Sequence, residues 1–258
     1  MRRGKGFTLI ELLVVIAIIA LLMGILMPAL ARVKMQARDV ACKGRLKQWT
    51  LIFAMYTNDN NGFFHTREFG TQEGYDRLWY VLYQPLYKDP MMLCCPAAQN
   101  PNQGFGPFGT WGWDGPEDQD WGWGGTWMPE EGLYGSYAFS RFMLHNQGNE
   151  YWGQTGVKGA DNIPVFLDCQ YVALNPTSTD PPPEYDGDRR NQMQYSCMGR
   201  HVDHVNVLFL DWTVRSVGLK ELWTLEWSRT FDTAGPWTRA GSAASGDWPV
   251  WMRTFKDY

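Results

Sequence analysis

The sequence predicts an α+β protein: one long N-terminal α-helix, then a head with a small antiparallel β-sheet and long loops. Three observations carry that reading. An apolar run opens the chain, and Glu11 is its only charge between Phe7 and Ala31. Helical spacing continues past Pro28 as far as "NDNNG" (58–62), a cluster of turn formers that stops a helix. Beyond that point the Gly- and Pro-rich chain alternates apolar and polar residues only in short pieces, such as "HVNVLFLD" and "TVRSVGL".

The apolar run is about the ~20 residues that a membrane-spanning helix needs. Arg2, Arg3 and Lys5 precede it, which is the flank that stays inside the cytoplasm. A cleaved secretory signal would be shorter and end in an Ala-x-Ala-like site, and none follows cleanly. A plain anchor accounts for the length but not for Glu11, since a charge in hydrocarbon costs roughly 2.5–3.5 kcal/mol on insertion scales. The bland account of Glu11 is that it snorkels toward the interface.

After the run, Leu30, Val33, Ala37, Val40, Trp49, Ile52, Phe53 and Tyr56 recur at three- and four-residue steps, with a gap around 44–48. Basic Arg32, Lys34, Arg38, Lys43, Arg45 and Lys47 fall largely off that stripe and could meet lipid headgroups. A helix from Thr8 to Tyr56 would be roughly 75 Å long, its first half apolar and its second half packed under the head. Pro28 removes a backbone donor and should loosen the helix near Gly24.

A net charge of −4 gives no general basic surface, so nucleic acid is not an expected partner. No Ser or Cys motif of a nucleophilic site appears, and the chain is read as a non-enzyme. His201 and Asp211 end the first strand of a hairpin, roughly 30 Å apart at about 3.3 Å per residue, and are read as structural. "HVDH" (201–204) contains two histidines that a strand would put on opposite faces, so a metal there needs a turn. Trp212 makes a two-residue hairpin turn unfavourable and implies a longer connection. Acidic "WDGPEDQD" offers Asp114, Glu117, Asp118 and Asp120 in a Gly/Pro-rich loop, a candidate Ca²⁺ site without EF-hand spacing. Five Trp in 109–127 either pack over the sheet or form a platform for carbohydrate; packing is favoured, as it is for "WPVWM" (248–252).

Five cysteines fit an exported head, where disulfides persist. The preferred pairing is Cys42 with Cys94 or Cys95, and Cys169 with Cys197, one cysteine being left over; sequence does not set connectivity.

The stretch "RRGKGFTLIELLVVIAIIALLMGILMPAL" resembles the N-terminus of type IV pilins and of the pseudopilins of type II secretion systems. The resemblance implies a leader of residues 1–6 cut by prepilin peptidase after Gly6, then N-methylation of Phe7. It implies a transmembrane and filament-core helix over 7–57 with the helix-loosening Pro28, and a periplasmic or extracellular head over 58–258. Glu11, five residues past the cut, would meet the Phe7 amine of a neighbouring subunit, two costly charges offsetting one another and fixing register. Some pseudopilins hold calcium in a loop, which bears on the acidic 114–120 segment.

A second resemblance rests on "LWYVLYQPLYKDPMMLCCP", "GLYGSYAFS", "IPVFLD" and "RHVDHVNVLFLDWTVRSVGLKELWTLEW". These are similar to landmarks of a pseudopilin-like family known for a C-terminal His–nine residues–Asp–Gly pattern. His201 and Asp211 keep the spacing, while Trp212 stands in place of the glycine. The implied function is structural: an inner-membrane protein assembled with copies of itself or other pilins, through a membrane assembly platform, into a pilus or secretion pseudopilus. The alternative is a surface protein that binds carbohydrate through the Trp-rich loop.

Overall fold

A computed structural model of the chain describes residues 8–66, 79–87, 89–98, 107–113 and 133–258. Helix α1 (Leu9–Asp59) is continuous through Pro28 and runs two residues beyond the expected end at 57. The turn formers do stop it: the Thr57 carbonyl accepts from Gly62 N–H at 2.7 Å, with Asn61 and Gly62 at φ 56° and 85°. Asn and Gly tolerate that left-handed conformation best, which is why "NNG" closes the helix.

The chain forms two compact units, Met1–Arg38 and Asp39–Tyr258. In the first, the apolar side chains from Leu9 to Met35 are exposed on every side of the helix, which is long and apolar enough to cross a membrane. In the second, α1 buries Cys42, Leu46, Trp49, Phe53 and Thr57, a run of four- and three-residue steps. The expected gap at 44–48 is thus filled by Leu46, and Cys42 extends the stripe, whereas Leu30, Val33 and Val40 are exposed. The second unit, residues 39–258, takes in the second half of α1, whose buried side chains complete its core.

A five-stranded sheet lies in the order β5-β3-β4-β6-β7, built from β3 (Tyr137–Ser140), β4 (Pro164–Asp168), β5 (Ala173–Leu174), β6 (His204–Phe209) and β7 (Val214–Gly218). Its pairs are antiparallel except β3 with the short edge strand β5, which is parallel. A separate pair joins β1 (Trp111–Trp113) to β2 (Leu133–Gly135). Trp111 lies opposite Gly135, where any Cβ would fall 2.1 Å from the indole; glycine is the residue that admits the ring.

Strand alternation sorts the side chains onto two faces. Tyr137, Phe139, Phe166 and Leu208 face α1 and the short helix α2 (Trp79–Leu82), where Trp49, Phe53 and Trp79 complete an aromatic core. Ala138, Leu167, Val205, Val207, Phe209 and Val217 face the other way, onto Met193, Trp223, Trp227, Trp248 and Met252. Trp248 and Met252 thus hold the C-terminal segment to the core, as their sequence placement implied. At one edge of the helix-facing side the aromatic pattern gives way to Asp168 and Asn206, both fully buried.

The β6–β7 hairpin resolves the question of Trp212. Phe209 O accepts from Trp212 N–H at 2.9 Å, and Phe209 N–H donates to Thr213 O at 2.9 Å. The connection is therefore three residues, Leu210 to Trp212, the last at φ 68°. Such loops put a left-handed residue third, normally glycine, and here a tryptophan bears that strain.

Candidate functional site

At the start of α1, Thr8 and Glu11 form a reciprocal cap. Thr8 N–H and Oγ1 each donate to Glu11 Oε2 at 2.8 Å, and Glu11 N–H donates to Thr8 Oγ1 at 3.3 Å. This capping box satisfies backbone donors that a helix start leaves unpaired. The signature Thr-x-x-Glu before an apolar run could have revealed it from sequence. Glu11 thus has a partner within its own chain. Gly6 and Phe7 lie outside the described residues.

A second constellation forms inside the head around Asp168, the last residue of β4. Four elements meet there. Helix α1 brings Cys42, the turn after Leu93 brings Cys95, and the bend before β6 brings His201. All four side chains are buried, and their ligating atoms lie within 4.8 Å of one another. His201 Nε2 sits 3.2 Å from Asp168 Oδ2 and 3.3 Å from Cys95 Sγ. Cys42 Sγ is 3.5 Å from Asp168 Oδ2 and accepts from Tyr137 Oη–H at 3.3 Å.

A surrounding layer fixes these groups. Arg200, also buried, donates to the carbonyls of Ser136 at 2.7 Å, Gly109 at 2.8 Å and Pro107 at 2.9 Å, and lies 3.4 Å from Asp168 Oδ1. Asn206 N–H donates to Asp168 Oδ2 at 2.9 Å. Asp39 of α1 accepts from Asn206 Nδ2 at 2.7 Å, pairs with Lys43 at 2.8 Å, and lies 3.1 Å from His204 Nε2 and 3.6 Å from His201 Nδ1. The two imidazoles stack at 5.6 Å. Residues 201–203 are a bend with Val202 at φ 76°, so His201 and His204 reach the same carboxylate. The turn that a metal reading of "HVDH" required is present.

Burial alone would raise the Asp168 pKa, yet the hydrogen bond and charge of His201, with Arg200 and Asn206 N–H, hold it at about 2. His201 is pushed the other way. Burial lowers it, but Asp168 and Cys95 raise it to about 10. Burial would also raise Cys95, while hydrogen bonds from Cys42 and His201 and the charge of Arg200 bring it to about 7. Burial, Cys95 and Asp168 keep Cys42 well above an ordinary thiol. The centre thus sets the imidazole of His201, the guanidinium of Arg200 and two thiol groups around the Asp168 carboxylate, all of them buried.

Other sequence-derived candidates fall elsewhere. All five cysteines are free thiols, so neither Cys42 with Cys94 or Cys95 nor Cys169 with Cys197 is bridged here. Cys42 and Cys95 do meet, with Asp168 and His201 beside them. Cys94 points away, its thiol donating to Tyr134 O at 3.4 Å. Cys169 and Cys197 are buried in the opposite core, where burial pushes Cys169 up to about 12. Asp211 stands in the exposed hairpin turn, accepting from Thr213 N–H at 2.9 Å, away from buried His201; the two do not form a pair. Asp114, Glu117, Asp118, Asp120, Trp121 and Trp123 lie outside the described residues. Trp111 is buried, with its indole N–H on Tyr137 O at 2.8 Å. Asp39, Asp168 and Arg200 carried no signal in the sequence, because no spacing links them.

Comparison with known proteins bears on the N-terminal segment. The family model of the prokaryotic N-terminal methylation motif matches residues 1–27. Over 63 residues the chain is 46% identical to the type IV wide pilus major component PilA4 of Thermus thermophilus, a match that covers 24% of this chain and 48% of that protein. The chain therefore spans about half the length of the curated relative it matches. No solved structure matches. A pilin-like chain is the class these findings support: a prepilin-type N-terminus on an apolar helix, followed by an α+β head.

Proposed function

We propose that the chain is a structural subunit of a type IV pilus-like filament or secretion pseudopilus. Prepilin peptidase cuts it after Gly6, and Phe7 is methylated. The apolar half of α1 holds it in the inner membrane with the head outside the cytoplasm. An assembly platform then transfers it into a filament, where the same helices pack together. The observation that carries this reading is the match of residues 1–27 to the methylation motif, on a helix whose apolar side chains are exposed all round. A helix that is apolar on every side belongs in lipid or in a bundle of its own kind.

The test is the intact mass and first residue of the protein purified from its native membrane. A chain beginning at N-methylated Phe7 supports the reading. A chain still beginning at Met1 or Arg2 in cells with active prepilin peptidase overturns it.

A further inference from the structure

We infer that Cys42, Cys95, Asp168 and His201 form a structural zinc site that fastens the second half of α1 to the sheet of the head. Zinc binds thiolate sulfur at about 2.3 Å and imidazole nitrogen or carboxylate oxygen at about 2.0–2.2 Å, in a tetrahedron. Tetrahedral geometry turns those bond lengths into ligand-to-ligand edges of about 3.3–3.8 Å. Three edges of this cluster measure 3.2, 3.3 and 3.5 Å, and no edge exceeds 4.8 Å. The four ligand atoms are thus gathered at close to the spacing that one tetrahedral ion requires.

Chemistry narrows the ion. Two sulfurs with one nitrogen and one oxygen suit Zn²⁺, whereas Mg²⁺ and Ca²⁺ require six or more oxygens. All four ligands are buried, leaving no open position for a reacting water, so the site is structural rather than hydrolytic. Charge also balances. Two thiolates and a carboxylate bring three negative charges, against two on the ion and one on Arg200, 3.4 Å from Asp168.

The outer layer has the form that metal sites use. A ligating histidine usually presents its second nitrogen to a carboxylate. Here His201 Nδ1 faces Asp39 at 3.6 Å while Nε2 faces the cluster. Sulfur ligands accept hydrogen bonds, and here Cys95 Sγ accepts from Ala97 N–H at 3.4 Å and Cys42 Sγ from Tyr137 Oη–H at 3.3 Å. On binding, the thiols and His201 release their protons to solvent and no electrons move. The rival accounts are a purely ionic network and a Cys42–Cys95 disulfide.

The experiment uses the full chain, purified from its envelope in detergent without chelator. Zinc is measured by mass spectrometry, and Co²⁺ is added to chelator-treated protein. About one zinc per chain, or a thiolate-to-cobalt charge-transfer band with tetrahedral visible bands, supports the site. Cys95→Ser and His201→Ala should lower bound metal at least about tenfold, while Cys94→Ser retains it. Absence of both signals in the unaltered chain overturns the site, and so does metal retained in full by folded Cys95→Ser. A Cys42–Cys95 bridge in the native protein, two hydrogens lighter, overturns it as well. The measurements on the unaltered chain stand even if a variant fails to fold.

Discussion

Glu11 caps α1, and in the proposed filament it would also face the amine of a neighbouring subunit; one substitution separates the two roles. As the N3 residue of a capping box it can be replaced by glutamine, which keeps an oxygen for Thr8. As the counter-charge of a neighbouring amine it cannot. Glu11→Gln is therefore expected to leave membrane insertion and helix start intact and to abolish filaments, seen by electron microscopy of sheared surface material; filaments at normal abundance would reduce Glu11 to a cap. Val202 offers a different residue-level test. It is a β-branched residue at φ 76°, mostly exposed, held there by the bend that aims His201 inward. An L-residue in that conformation is destabilised by roughly 1–2 kcal/mol, and glycine is not. After the backbone freedom that glycine adds to the unfolded chain, Val202→Gly should raise stability by about 0.5–1 kcal/mol in denaturant melts. A lower midpoint would mean that the valine side chain packs in a way its exposure does not indicate.

Among the elements, α1 was the most legible and its second half the least. The apolar run and the "NDNNG" stop read directly, because membrane length and turn chemistry are local signals. Cys42 and Leu46 were not read as part of the buried stripe because Lys43, Gly44, Arg45 and Lys47 surround them and dilute it. Those cations are used by the head: Lys47 donates to Trp212 O at 2.8 Å, and Arg45 reaches the Cys94 carbonyl. Trp49 and Phe53 read correctly, and Phe53 shows why. Its ring touches those of Trp49, Phe64, Tyr83, Phe139 and Phe166 at centroid distances of 5.2–6.4 Å. Phe53→Ala should cost about 3–5 kcal/mol by calorimetry, since a hole between five rings cannot collapse. A loss under about 1 kcal/mol would mean that α1 is held by its polar contacts instead. The β6–β7 hairpin was legible as two strands around a turn longer than two residues. The Asp168 centre was not, for its members come from four distant segments and share no motif spacing.

For the whole molecule, two ion pairs outside the Asp168 centre add to the loss of stability in acid. Arg190 bonds Asp188 at 2.6 Å and lowers its pKa, and Lys220, buried under Trp248, does the same to Asp257 at 2.6 Å. Both carboxyls titrate lower in the folded chain than in the unfolded one. Their contribution is complete above the ordinary aspartate value of about 3.9 and is lost as pH falls below it. Asp188→Asn and Asp257→Asn should each lower stability at neutral pH and flatten its decline below about pH 4, followed by circular dichroism. An unchanged acid limb in both would place the acid sensitivity elsewhere.

That the core of the head is completed by α1 also orders events in time. Trp49, Asp39 and Lys47 leave the ribosome early, but their partners Phe166, Asn206 and Trp212 lie more than a hundred residues downstream. At translation rates of about 5–20 residues per second, the helix waits on the order of ten seconds before its binding face exists. Throughout that interval its aromatic stripe lacks the sheet it packs on, and keeping those rings covered is a task that synthesis of this chain sets for the cell.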